Sequence, residues 1–145
     1  KYQIIHLVGK GLLNKDINVE GYNQYEFLSA ELFDIFKILD FTISRAGANA
    51  LYEFLALNIP AILVPLGTNQ SRGDQIENAK FFEKNGFALV IQEDDFKDLE
   101  LIKVDDFYNS LNDYKNAMIK YKDEKKVINN VEDFYNKILK EVGGK

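Results

Sequence analysis

The chain has 145 residues, 46% hydrophobic and 28% charged, enough for one globular domain with a sizeable core and too apolar for a disordered segment. Cysteine is absent and there is one histidine, which excludes disulfide frameworks, thiol nucleophiles, cysteine zinc sites and multi-histidine metal centres. A net charge of −5 argues against nucleic-acid backbones and anionic lipid as partners, no apolar run nears the ~20 residues of a membrane-spanning helix, and no signal-peptide pattern is visible.

The chain opens on Lys1-Tyr2-Gln3 and passes at once into an apolar run, so it reads as a piece of a longer protein. Residues 3–8 (QIIHLV) predict a first strand, ended by Gly9-Lys10-Gly11. Asn18 to Tyr22 predicts a short second strand. Phe27, Leu28, Leu32, Ile35, Phe36 and Leu39 recur at helical spacing over 25–39, with a break at the start. Residues 41–44 (FTIS) predict a third strand. The small-residue turn Arg45-Ala46-Gly47-Ala48-Asn49 leads into a helix over 50–57, stopped by Asn58 and Pro60. Residues 61–64 (AILV) are continuously apolar, the pattern of a strand buried on both faces. A loop over 65–73 precedes a helix over 74–85 with Gly86 at its C′ position, and 87–91 (FALVI) predicts the last strand. Beyond it, Phe107, Leu111, Tyr114 and Met118 mark one amphipathic helix. Ile128, Val131, Tyr135, Ile138 and Leu139 mark another, with the lysine-rich stretch 120–126 between them.

Strands alternating with helices predict an α/β fold: a doubly wound parallel sheet of five strands with helices added at the C-terminus. The division expected is an α/β core over 1–92 and C-terminal helices over 93–145.

In such sheets ligands bind beyond the C-terminal ends of the strands. Three strand ends are informative, and each supports two readings. At Ser44 to Asn49, small residues and free N–H groups at a helix start suit a phosphate, with Glu53 ~8 Å further along the helix placed for a ribose diol. The other reading is a plain tight turn with Glu53 solvated. In the loop over 67–75, either Asp74 and Gln75 bond sugar hydroxyls, or the loop is solvated and Asp74 caps the helix. At Tyr25-Glu26-Phe27-Leu28, either the aromatic and apolar side chains cover a base, or they pack in the core. His6, mid-strand among Ile and Leu, reads as structural, and Glu93-Asp94-Asp95 as a surface acidic turn rather than a metal site. No Ser-His-Asp set, P-loop or H-E-x-x-H motif is present.

Together these segments carry a resemblance. Residues 43–66 (ISRAGANALYEFLALNIPAILVPL) and 73–91 (GDQIENAKFFEKNGFALVI) combine a serine/arginine–glycine turn, a glutamate six residues after the glycine, an I-P-A-hydrophobic-P strand and a D-Q-x-x-N-A helix. This combination resembles the C-terminal domain of the MurG family, GT-B enzymes of glycosyltransferase family 28 that move N-acetylglucosamine onto undecaprenyl-pyrophosphoryl-muramoyl-pentapeptide, turning lipid I into lipid II. The resemblance covers about residues 3–140 and is strongest over 43–91.

The resemblance implies a Rossmann-like, N-terminally truncated donor domain, and residues 1–145 as a UDP-sugar-binding fragment. By position it places Arg45, Ala46, Gly47, Ala48, Asn49 and Ala50 around the pyrophosphate, chiefly through backbone. Glu53 falls on the ribose, Phe27 and Leu28 on either side of the uracil, and Asp74 and Gln75 on the N-acetylglucosamine hydroxyls. Family members commonly carry Gln-Gln at the last pair, and here Asp74 replaces the first. The resemblance implies no cofactor, no metal and no catalytic residue in this fragment. Lipid I and the membrane would be met through a separate N-terminal domain, at the cytoplasmic face of the bacterial membrane. It also implies a further β–α unit ahead of this chain, whose glycine loop touches the diphosphate, so the fragment alone is expected to be inactive and to self-associate through exposed apolar surface. Other readings are a UDP-sugar transferase acting on diacylglycerol, a non-catalytic nucleotide-sugar-binding subunit, and a flavodoxin-like interaction domain.

Overall fold

Burial divides the chain before any sheet is drawn. From Lys1 to Ile38 no residue is fully buried, whereas Ala46, Ile59 to Val64, Phe87 and Met118 are. The structure, a computed structural model, describes residues 1–67, 73–96 and 101–125. It falls into two units, Lys1–Ile38 and Leu39–Lys145.

In the first unit, strands β1 (Ile4–Leu7) and β2 (Tyr22–Tyr25) pair in parallel, with Ile4 opposite Tyr22 and Leu7 opposite Tyr25. Helix α1 (Ala30–Ile38) follows. The second strand therefore lies later than the expected 18–22. Residues 19–22 form a turn closed by the Tyr22 N–H on the Val19 carbonyl, and the Gly21 carbonyl accepts from the Ile4 N–H. Gly21 has φ +78°, and a Cβ there would meet the Tyr2 carbonyl oxygen at 3.1 Å, so the turn that sets the register needs glycine. The break expected at the start of the 25–39 helix is real, because Tyr25 belongs to β2. His6 is exposed, and its Nδ1 lies 2.6 Å from the Tyr22 hydroxyl across the strand pair. Ile4, Leu12, Val19, Phe27 and Ile38 are exposed as well.

In the second unit, β3 (Thr42–Ser44), β4 (Ala61–Leu63) and β5 (Ala88–Val90) form a parallel sheet in the order β3-β4-β5. The five strands are thus shared between two parallel sheets, one in each unit, rather than joined in one. Helix α2 (Ala48–Leu57) connects β3 to β4, and α3 (Asp74–Lys84) connects β4 to β5. A single-turn helix α4 (Glu93–Phe96), then α5 (Leu101–Asn109) and α6 (Leu111–Lys125), follow β5.

The central strand explains the layers. Ala61, Ile62 and Leu63 are all 0% exposed. Successive side chains on a strand point to opposite faces, so both faces of β4 are covered. Ile62 packs with Phe107 and Leu111 of α5 and α6, and Phe41, Leu89, Ile91, Val104 and Tyr114 close round them. The buried stripes of α2 (Leu51, Phe54, Leu55) and α3 (Ala79, Phe82) supply the other layer. Phe87 sits edge-on to Phe82 and Tyr121, with ring centroids 5.4 and 5.2 Å away.

The helix ends follow local chemistry. Asn58 ends α2 in the left-handed region (φ 55°), and Gly86, at φ +72°, lets the Phe87 N–H return to the Phe82 carbonyl after α3. Asp74 does not cap α3. The N-cap is Gly73, and Asp74 is the first helical residue. The helix expected through Phe107, Leu111, Tyr114 and Met118 is broken at Ser110, whose Oγ donates to the Asp106 carbonyl and whose own carbonyl accepts from Asp113 and Tyr114 at the start of α6. The stripe from Ile128 to Leu139 lies outside the described residues, as does the loop over 68–72.

Helix α6 is also tied to α2 by a charge. Lys122 is 2% exposed, and its Nζ donates to the Ala56 carbonyl, 3.0 Å away in the last turn of α2. A cation there meets the negative end of the helix dipole. Burial nonetheless pulls the lysine pKa down, with Asp123 opposing.

Two outcomes are expected. Ile62→Ala removes side-chain volume from a strand with no exposed face, so urea unfolding should show a loss of about 2–5 kcal/mol. Lys122 binds its proton less tightly folded than unfolded, so its cost is full below the folded pKa and relieved as pH rises toward 10.5. Stability of the wild type should therefore rise across that alkaline window relative to Lys122→Met, as measured by unfolding at a series of pH values.

Candidate functional site

The C-terminal ends of β3, β4 and β5 lie side by side, because the Val64 N–H donates to Ser44 and the Ile91 N–H to Leu63, each at 2.9 Å. The first of these ends runs into α2. Gly47 is the N-cap in an extended conformation, and no side chain caps the helix. The first intrahelical bond is Leu51 N–H to the Gly47 carbonyl. The N–H groups of Ala48, Asn49 and Ala50 therefore have no partner within the helix. A Cβ built on Gly47 meets nothing within 4 Å, so the approach to this backbone is open. The helix begins two residues earlier than the expected 50, which puts Ala48 and Asn49 into its first turn.

The turn is held from three sides. Ala46 is 0% exposed, and its carbonyl accepts from Asn78 Nδ2 of α3 at 3.0 Å. Ser44 Oγ donates to the Arg45 carbonyl. The Arg45 guanidinium donates to the Val64 carbonyl at 3.2 Å and pairs with Glu93 of α4 at 2.5 Å. One turn before Asn78, Gln75 accepts from the Leu66 N–H at 3.0 Å, which fixes the loop after β4. Asp74 stays exposed at the head of α3, where the positive end of the dipole favours it.

Glu53 lies in the second turn of α2 and is half-buried. Burial raises its pKa above the ordinary 4.5, and among the described residues no cation or donor offsets that. A half-buried carboxylate in this state favours any ligand that brings hydroxyl donors.

Of the expected residues, Arg45 to Ala50, Glu53, Asp74 and Gln75 all belong to the second unit, with α3 linked to the turn through Asn78. Phe27 and Leu28 belong to the first unit, just past β2, where Phe27 is 70% exposed and so is not core packing. Asn78 enters the sequence reading only as part of the D-Q-x-x-N-A motif, with no role of its own. Its signal was present: it stands three residues after Gln75 on a helix, hence on the same face. A cavity of about 610 Å³ in this unit is lined by Gln92, Lys103, Phe107 and Tyr114 among others, and none of the expected residues borders it.

Residues 1–138 match the family model described as the glycosyltransferase family 28 C-terminal domain. The chain belongs to that family. Among curated relatives it is 45% identical, over 97% of its own length, to the UDP-N-acetylglucosamine–N-acetylmuramyl-(pentapeptide) pyrophosphoryl-undecaprenol N-acetylglucosamine transferase of Staphylococcus haemolyticus. It is 46% identical over 100% of its length to the protein of that name from Staphylococcus carnosus, and 46% over 92% to one from Bacillus cereus. It spans 39% of the length of each.

The half-buried carboxylate makes a prediction that needs no ligand. Glu53 holds its proton more tightly folded than unfolded, so its contribution to stability is greatest below pH 4.5 and is lost as pH rises through the folded pKa. Glu53→Gln, neutral and of equal shape, should abolish that loss. Unfolding of both proteins between about pH 4 and 7 measures it.

Proposed function

We propose that this chain is the donor-binding half of an N-acetylglucosaminyltransferase that converts lipid I to lipid II at the cytoplasmic face of the membrane. The observation that carries the reading is the pairing of an uncapped helix start at Ala48 to Ala50 with the half-buried carboxylate of Glu53 further along the same helix. A nucleoside diphosphate matches both: its phosphates suit the N–H groups and the dipole, and its ribose diol suits the carboxylate. The names of the relatives support UDP-N-acetylglucosamine as that donor and an undecaprenol-linked acceptor.

In this mechanism the acceptor hydroxyl attacks the anomeric carbon, its proton passing to a base in the part of the enzyme outside this chain, while the bond from that carbon to the β-phosphate oxygen breaks. Negative charge grows on the departing diphosphate. The N–H groups of Ala48, Asn49 and Ala50 stabilise it in place, without reorganising at the moment of reaction. Asp74 and Gln75, at the head of α3, face the sugar hydroxyls. Acceptor and membrane are engaged by the part of the enzyme outside this chain, which is consistent with a chain covering 39% of its relatives. Among the described residues no helix is long and apolar enough to cross a membrane.

Calorimetric titration of the full-length protein with UDP, UDP-N-acetylglucosamine, UDP-glucose and FMN tests the reading. Saturable binding of UDP and tighter binding of UDP-N-acetylglucosamine than of UDP-glucose are expected. Glu53→Ala should weaken UDP-N-acetylglucosamine by about 1–3 kcal/mol with little change in stability. Wild-type affinity should also fall as the solution is acidified through the Glu53 pKa, which lies above 4.5, because a protonated carboxyl accepts less well. Preference for FMN, or an unaltered donor affinity in Glu53→Ala, would overturn the assignment.

A further inference from the structure

Glu93, first residue of the acidic turn after β5, takes no part in the reading above, yet its carboxylate reaches the candidate site. It pairs with Arg45, 48 residues earlier in the chain, and the same guanidinium donates to the Val64 carbonyl. One planar cation thereby joins the end of β3, the end of β4 and the start of α4, which follows β5. A guanidinium held by two acceptors on different elements has its plane fixed, and cannot turn without breaking both bonds. Arg45 also adjoins Ala46, whose carbonyl is held by Asn78, so the turn is tethered from both sides of the peptide that enters α2.

We propose that Glu93 is a positioning residue for the turn Ser44 to Asn49. Resting on the donor reading above, its role is to hold the Arg45 guanidinium across the strand ends, so that the N–H groups of Ala48, Asn49 and Ala50 keep one aim at the diphosphate. Arg45 serves as a brace, already matched by an anion, and the charge offered to the phosphates is that of the helix start. Asp94 and Asp95 are not needed for this.

The test uses the full-length protein with UDP as the probe. It reads two quantities: the dissociation constant for UDP, and amide hydrogen exchange without ligand at Leu51, whose N–H is bonded to the Gly47 carbonyl and so reports opening of the turn. Glu93→Ala should speed exchange at the turn and weaken UDP about threefold to fivefold, the scale of a half-exposed ion pair. Glu93→Gln, which keeps an acceptor oxygen, should recover most of both losses. In an Arg45→Ala background, Glu93→Ala should add nothing further. The proposal is overturned if Glu93→Ala leaves exchange and affinity unchanged, if its effect persists without Arg45, or if either variant tightens UDP, since tightening would mean that Glu93 competes with the diphosphate. Should the wild type fail to bind UDP while Glu93→Ala still loosens the turn, the donor reading falls and the positioning role stands.

Discussion

The second unit depends on the complete burial of β4. A strand with neither face in water must be covered by two helix layers, and its backbone must be paired on both sides. Both demands are met within about eighty residues. β3 and β5 take the two edges of the strand, α5 and α6 cover Ile62, and α2 and α3 form the opposing layer. Because all three strands run parallel, their C-terminal ends are brought to one side, and the loops that follow them have only that side to occupy.

Those loops are polar, and the sheet leaves their backbone groups without ladder partners. The structure answers with side chains from other elements. Asn78 holds Ala46, Gln75 holds Leu66, and Arg45 holds Val64 while pairing with Glu93. Each bond is individually modest, on the order of 1 kcal/mol. Their common effect is geometric: the loops after β3 and β4 are tied to α3 and α4, and the start of α2 is tethered through the Ala46 carbonyl. The polar groups left over, three N–H groups and the carboxylate of Glu53, lie on the helix that this bracing fixes. Bracing groups and the candidate ligand-binding groups therefore alternate along the same short segments.

The first unit is built differently. Two paired strands and one helix bury no residue fully, and their apolar side chains, Ile38 and Phe27 above all, remain accessible. A pair of parallel strands has too little area to make a core of its own. Its order comes from local devices: the turn at Gly21, the Glu26 carboxylate accepting from the Gly11 N–H at 2.8 Å, and the exchange of bonds between Asn14 and Gln24.

Much of this was legible in the sequence wherever the physics is local. The run AILV announces a strand buried on both faces, Asn58 and Gly86 mark helix ends because few residues accept their backbone angles, and small residues before an apolar stripe announce an accessible helix start. The same logic singled out the turn at Ser44 to Asn49 and the carboxylate of Glu53 as candidates. What tertiary structure alone decided was every matter of partner and register. The pairing of Ile4 with Tyr22 rather than with an earlier residue turned on a close backbone approach at Gly21. The break at Ser110 turned on a hydroxyl choosing a carbonyl within its own chain rather than solvent. The bond from Arg45 to Glu93 spans 48 residues, and no periodicity records it. Spacing along a chain encodes which face a side chain occupies, because helix and strand have fixed repeats. It does not encode which distant group that face will meet, because that depends on how the layers pack.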